Sequence, residues 1–166
     1  MIRNCIYYVE GECEKKLIGA LKEQPALIYT GKVKVRNVVS ELIPRSELLT
    51  IKRDTAVILV FDTDIPKTDL LNKNIANLKK FCSAVKVLTV AQVPDFESEL
   101  VRSTDVKNVS EITKSKSASD FKRDFCRLTD PRHTLDNHGF DIDKIWAQNP
   151  TGVFSSIKQN GKDIKN

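Results

Sequence analysis

Three apolar runs stand out in the first part of the sequence, at residues 5–9, 56–61 and 85–90. Their hydrophobic side chains are consecutive rather than alternating, which is typical of strands buried on both faces. Between the runs, residues 14–21 and 69–82 carry apolar side chains at helical spacing. This alternation of strand and helix predicts an α/β fold, with a mostly parallel sheet flanked by helices.

Two smaller elements complete the predicted core. A short strand at 32–35 follows the turn residues Thr30 and Gly31. A helix is predicted at 38–43, ended by Pro44 because proline cannot continue a helix. With 166 residues, the chain is long enough for one hydrophobic core and short for two.

After Pro94 the pattern becomes mainly helical, with turns rich in Ser and Thr between the segments. We therefore divide the chain into a core at 1–94, a helical extension of the same domain at 95–154, and a polar tail at 155–166. We expect the tail to fray, because it carries few apolar residues. The helical segments predicted after Pro94 are 97–103, 109–113, 119–128 and 141–146.

The net charge of +5 favours a polyanionic partner such as DNA or RNA. Seven Lys or Arg residues lie between Lys107 and Arg132. Within this region, the stretch KSKSASDFKRDF at 114–125 has two interpretations: a solvated, capped helix, or a surface that contacts nucleic-acid phosphates. On the second interpretation the contacts come from Lys116, Lys122 and Arg123.

No apolar run approaches the roughly 20 residues of a membrane-spanning helix, and the first residues do not form a signal peptide. We therefore expect a cytoplasmic protein without a membrane partner. The four cysteines include no CxxC pair, so the spacing favours neither a structural zinc site nor a redox motif.

Carboxylates follow two of the predicted strands. Glu10 comes directly after the run at 5–9, and Asp62 and Asp64 come after the run at 56–61. Residues two apart in a strand point to the same side, and parallel strands end at the same edge of a sheet, where ligands bind. Clustered carboxylates repel unless a cation intervenes, and oxygen ligands suit Mg²⁺ or Mn²⁺. The alternative is that each residue only caps a helix.

The segment VEGECEKKLI, followed by VILVFDTD, resembles the Toprim domain of topoisomerases, primases and OLD-family nucleases. That family has a glutamate after its first strand and a DxD motif after a later one. The resemblance assigns Glu10 to the glutamate, and Asp62 and Asp64 to the DxD. It implies a compact α/β fold and Mg²⁺-dependent chemistry on phosphodiesters, with these three residues as the catalytic set.

Further carboxylates are candidate ligands for the same metal site. The stretch QVPDFESELVRST is similar to proline-then-glutamate segments of OLD-like Toprim proteins, which makes Glu97 a candidate ligand and Glu99 a weaker one. Glu14 lies one helical turn after Glu10 and can face the same crevice. A second ion would permit two-metal hydrolysis, in which one ion activates water and the other stabilises the leaving oxygen.

The leading hypothesis is a Mg²⁺-dependent Toprim-type nuclease that acts on DNA or RNA. The resemblance implies a subunit that works beside an ATPase in defence against phage. Because this sequence has no GxxxxGK[ST] loop, the ATPase would be a separate partner. One alternative is a Toprim-like module that binds nucleic acid or a partner without catalysis. The other reads DTDIP as the motif of a haloacid-dehalogenase-like phosphatase, with Asp62 as phosphate acceptor.

Overall fold

The computed structural model describes residues 4–82, 84 and 86–166. Its centre is a four-stranded sheet in the order β2-β1-β3-β4, and every neighbouring pair is parallel. This confirms the predicted α/β fold with a parallel sheet flanked by helices, an arrangement of the Rossmann-like type. The predicted third apolar strand begins at Lys86 in the structure, and Val85 lies outside the described residues. The strands are β1 Asn4–Val9, β2 Lys32–Val35, β3 Thr55–Asp62 and β4 Lys86–Gln92.

Strand β3 occupies the centre of the sheet and is buried at every position. Its consecutive apolar side chains are therefore explained by contact with a hydrophobic layer on each face. The register pairs Tyr8 of β1 with Leu59, and Asp62 with Gln92 of β4. The carboxyl ends of the three strands consequently lie side by side, at the edge where the sequence places its acidic residues.

Helices cover both faces of the sheet and form two hydrophobic clusters. The larger cluster joins one sheet face to α1, α4, α5, α6 and α7, and the smaller one joins the other face to α2 and α3. No helix in the described part of the chain is long and apolar enough to cross a membrane. The helices are α1 Glu12–Lys22, α2 Arg45–Leu48, α3 Asp69–Phe81, α4 Phe96–Ser103, α5 Ser110–Thr113, α6 Ala118–Cys126 and α7 Pro131–Asp136, with a 3-10 turn at Gly152–Phe154.

Three aromatic rings fix α6 against α4. The ring centroids of Phe96, Phe121 and Phe125 lie 5.4 to 6.4 Å apart, and all three side chains are fully buried. Aromatic pairs at this separation add to the free energy gained from burial. The helices that follow the sheet therefore belong to the same hydrophobic cluster as the strands, and α6 is held close to the end of the sheet.

Two predicted helices are wrong. Residues 38–43 form turns, in which the Asn74 side chain accepts a hydrogen bond from Ile43 N and donates to the carbonyls of Val38 and Glu41. These bonds replace the ones that a helix would have supplied. Pro44 precedes α2 instead of ending a helix, a position that its fixed φ favours.

Residues 141–146 also form turns, and Trp146 has a positive φ of 54°. Such a backbone conformation cannot continue a right-handed helix. Two helices were not predicted, α2 and α7. Asp130 and Pro131 nevertheless carry the signal for the start of α7: the Asp130 side chain accepts a hydrogen bond from His133 N.

The polar tail at 155–166 does not fray. It lies along the outer edge of β4, where Asn160 N donates to Thr89 O and Thr89 N donates to the Asn160 side chain. The last residue, Asn166, donates to Leu27 O, and Ile164 is fully buried. An edge strand presents unpaired backbone groups, and this segment satisfies them without forming a strand of its own.

Replacing Asn160 with Ala should lower the free energy of unfolding by roughly 1–3 kcal/mol, because Thr89 N is buried and would lose its acceptor. Urea titration would measure the change. The matched control is Asn72→Ala on the exposed side of α3, for which we expect a change within about 0.5 kcal/mol. Equal effects of the two substitutions would contradict the assigned role of the tail.

Candidate active site at the carboxyl edge of the sheet

Glu10 and Asp62 meet at the carboxyl edge of the sheet. Glu10 follows the last residue of β1, and Asp62 is the last residue of the adjacent strand β3. The Asp62 backbone N donates a hydrogen bond to Glu10 Oε2 at 3.4 Å. The structure therefore brings together two of the carboxylates that the sequence assigned to one site.

The Asp62 carboxylate is buried and is oriented by Gln92. Only 7% of Asp62 is exposed, and Gln92 Nε2 donates to Asp62 Oδ1 at 2.6 Å. Gln92 ends β4 and is fully buried, and its Oε1 accepts a 3.5 Å hydrogen bond from Trp146 Nε1. Sequence reasoning missed Gln92, although a glutamine at the end of a buried strand was a detectable signal.

Glu14 enters the same crevice from the first turn of α1. Its side chain is buried, with 4% exposed, one turn after Glu10. Helix α1 begins at Glu12, directly after the strand-end loop, because the N-terminal cap is Gly11 in an extended conformation. The short connection therefore places two carboxylates, Glu10 and Glu14, above the same strand ends.

Burial and mutual repulsion raise the pKa of each of these carboxyl groups. Burial first, and then the neighbouring charges of Glu10, Glu14 and Asp64, together raise the pKa of Asp62 to about 8. Burial also raises the pKa of Glu10 and of Glu14. Carboxyl groups in this arrangement are stabilised either by holding protons or by a cation, so the site favours binding of positive charge.

Lys122 supplies a positive charge beside the cluster. Its Nζ lies 3.3 Å from Oε1 of Glu97, which stands in the first turn of α4. Partial burial alone would lower the pKa of Lys122, but the carboxylates of Glu97, Glu14 and Asp62 raise it above its ordinary value. Lys122 is thus a member of the site, and α6, held by its aromatic contacts, positions it there.

The other two basic residues assigned to phosphate contact are placed differently. Arg123 is exposed and lies 3.1 Å from Asp120 Oδ1 and 3.0 Å from Asp124 Oδ1. Lys116 is exposed in the loop before α6. Among the three predicted nucleic-acid contacts, Lys122 is the one that meets the carboxylates, and the charge of Arg123 is balanced by its two acidic neighbours.

Asp64 is exposed beyond the end of β3, and its charge contributes to the raised pKa of both Asp62 and Glu10. The predicted metal set of Glu10, Asp62, Asp64, Glu14 and Glu97 thus surrounds one region. Within residues 4–82, 84 and 86–166, however, no three His, Cys, Asp or Glu side chains stand close enough to hold a metal ion as they are placed. The oxygen donors suit Mg²⁺ chemically, and the hydrogen bonds from Asp62 N and Gln92 Nε2 engage one oxygen of Glu10 and one oxygen of Asp62.

Glu99, the weaker candidate ligand, has a structural role. It is fully buried, and its Oε1 accepts from Val93 N at 2.9 Å and lies 2.9 Å from Arg102 Nη1. Its Oε2 accepts from Trp146 N at 2.8 Å. Both oxygens are therefore engaged by the fold, which makes Glu99 an anchor for the loop around Trp146.

Comparison with known proteins adds no family assignment. No protein-family model matches the chain, and neither the curated proteins nor the solved structures give a significant match. The Toprim resemblance therefore depends on the order of the sequence motifs, and the candidate site on the geometry of the residues at the end of the sheet.

Proposed function

We propose that this chain is a Mg²⁺-dependent nuclease of the Toprim type, which hydrolyses phosphodiester bonds of DNA or RNA. The observation that carries the proposal is the buried carboxyl group of Asp62 beside Glu10, with a pKa raised to about 8. Strongly shifted carboxyl groups are concentrated at functional sites, because such groups persist at a cost in stability.

The residues proposed to hold Mg²⁺ or Mn²⁺ are Glu10, Asp62 and Asp64, with Glu14 and Glu97 as further ligands. When bound, the metal would polarise the scissile phosphate and activate a water molecule. Gln92 would hold the Asp62 carboxylate in one orientation through its 2.6 Å hydrogen bond. Such supporting contacts affect metal affinity and activity almost as strongly as the ligands do.

Lys122 has a separate role in the proposed reaction. Its ammonium group lies beside the cluster and is held by Glu97, so it can donate a hydrogen bond to a phosphate oxygen that enters the site. A fixed cation near the developing charge lowers the barrier to phosphoryl transfer. Arg123 and Lys116, further along the exposed surface, would contact phosphates outside the site.

The proposal includes a partner. Because the sequence contains no GxxxxGK[ST] loop, any control by ATP would come from a separate ATPase, as in the phage-defence systems that the Toprim resemblance implies. Cleavage should therefore be measured with the chain alone and with a candidate ATPase partner in the presence of ATP.

The direct test is cleavage of single-stranded and double-stranded DNA and RNA with Mg²⁺ or Mn²⁺. Asp62→Asn should lower the rate about 100-fold or more, because the amide cannot replace a carboxylate ligand. Asp105→Asn, an exposed substitution beside Gly139 and His138 rather than at the strand ends, is the control and should keep the wild-type rate. Absence of cleavage under all these conditions, with and without the ATPase partner, or equal rates in both variants, would contradict the proposal.

Binding of Mg²⁺ should strengthen as pH rises through about 8, because the Asp62 carboxyl group must lose its proton before it can bind the metal. We expect the apparent Kd to fall roughly tenfold between about pH 7 and about pH 9. Trp146, the single tryptophan, contacts Gln92 and can report binding through its fluorescence. A Kd independent of pH, or one with the same pH dependence in Asp62→Asn, would argue against this site.

A non-catalytic module that binds nucleic acid or a partner protein is the second candidate. The observation that favours it is the Lys122 ammonium group, which already compensates part of the carboxylate charge without a metal. If the chain is such a module, Asp62→Asn should retain nucleic-acid binding and biological activity. If the chain is a nuclease, Asp62→Asn should lose both cleavage and biological activity.

A further inference from the structure

Two cysteines that are distant in the sequence meet beside α1 and α6. The Sγ atoms of Cys13 and Cys126 lie 2.9 Å apart, although 113 positions separate them along the chain. Both cysteines are free thiols. The Cys13 thiol also lies 3.2 Å from the carbonyl oxygen of Lys122, to which it donates. Cys126 can then donate to Cys13 Sγ, so the two thiols share one chain of hydrogen bonds.

Solvent reaches the two sulfurs unequally. Cys13 is buried, with 6% exposed, whereas Cys126 is half-buried and lines a groove of about 370 Å³ between α1 and α7. The groove rim carries charges of both signs, from Lys15 and Lys16 and from Glu12 and Glu23. Glutathione carries two carboxylates and one ammonium group, so these side chains complement the charges of such a tripeptide.

We propose that Cys126 and Cys13 form a redox-active pair that reacts with a low-molecular-weight disulfide of the glutathione class. The Cys126 thiolate attacks one sulfur of oxidised glutathione, which gives a mixed disulfide and releases one glutathione that takes up a proton. Cys13 then attacks Cys126 Sγ and releases the second glutathione, again with its proton. The two protein thiols lose two electrons in total, and the glutathione disulfide gains them.

The product is a disulfide between α1 and α6. Cys13 is adjacent to Glu14, and Cys126 lies one helical turn after Lys122, so the bond would tie together the two helices that supply these groups to the candidate site. The formation of the disulfide does not depend on the proposed nuclease activity. The influence of the disulfide on the candidate site rests on the proposed function. Mass and thermal stability are therefore the readouts of the test.

The experiment is incubation of the reduced full chain with oxidised glutathione, followed by intact-mass measurement and peptide mapping. We expect a protein lighter by two hydrogens, with one disulfide joining the peptides of Cys13 and Cys126. The melting temperature should rise by roughly 5–10 °C, because the bond closes a long loop, and dithiothreitol should reverse the rise.

Two variants separate the steps. Cys13→Ser should keep one glutathione on Cys126, because no second thiol can resolve the mixed disulfide. Cys126→Ser should leave Cys13 unmodified, because Cys13 is buried. The proposal is overturned if the wild-type chain remains fully reduced, if it keeps a stable adduct on Cys126, or if oxidation involves Cys5 or Cys82 instead.

Discussion

Asp62→Asn should make the protein more stable at neutral pH while removing the proposed activity. We expect the free energy of unfolding without divalent cations to rise by roughly 2–4 kcal/mol. The folded state raises the pKa of the Asp62 carboxyl group to about 8, mainly through burial. An asparagine carries no charge to bury, and its side-chain oxygen can still accept the hydrogen bond from Gln92.

The direction of the Asp62 pKa shift determines how the effect of Asp62→Asn on the free energy of unfolding changes with pH. The unfolded chain releases the Asp62 proton near its ordinary pKa of about 4, whereas the folded chain keeps it to about 8. The contribution of this group to stability is therefore complete below about pH 4 and is lost as pH rises toward about 8. The advantage of Asp62→Asn over wild type should be small in acid and largest above about pH 8.

Urea unfolding in the presence of a chelator, at several pH values, would measure the difference. Asp64→Asn is the matched control, since it removes the other carboxylate of the same motif from an exposed position. Its effect on unfolding should stay within about 0.5 kcal/mol. If Asp62→Asn destabilised the protein at every pH, the carboxyl group would be a structural element rather than a strained functional one.

Glu99→Ala should have the largest destabilising effect, about 3–5 kcal/mol. The substitution removes a fully buried carboxylate that accepts hydrogen bonds from the backbone N of Val93 and of Trp146. It also leaves Arg102 without its ion-pair partner. A buried donor or charge that loses its partner has given up its hydration without any compensating interaction. This uncompensated desolvation explains the expected magnitude.

Thermal or urea unfolding followed by circular dichroism would measure the loss of stability in Glu99→Ala. Glu97→Ala, on the same helix, removes a carboxylate that is partly exposed and forms an ion pair with Lys122. That control should cost no more than about 1 kcal/mol. A comparable loss in the two variants would show that Glu99 does not anchor the Trp146 loop as inferred.

The sequence was sufficient to place Glu10 and Asp62 together, because a parallel sheet brings successive strand ends to one edge. The pattern of apolar side chains alone was enough to predict β3 and to place Asp62 at its end. Gln92 and Lys122 could not be assigned in the same way. The position of Gln92 beside Asp62 depends on the register of β4 against β3. The position of Lys122 beside the carboxylates depends on the packing of α6, which three aromatic contacts determine.

The incorrect predictions have the same origin in tertiary contacts. Residues 38–43 have a helical pattern, but the Asn74 side chain satisfies their backbone groups in a turn. The tail at 155–166 is polar in sequence and is nevertheless ordered, because Asn160 pairs with the open edge of β4. Local propensity is overridden where a distant side chain provides the hydrogen bonds.

The most direct measurement is the anomalous diffraction of crystals soaked in Mn²⁺. The proposed function requires a manganese peak between the end of β1 and the end of β3, within coordination distance of Glu10 and Asp62, and requires that peak to vanish in Asp62→Asn. A soaked crystal that diffracts well but shows no peak between these strand ends would contradict the metal-dependent mechanism.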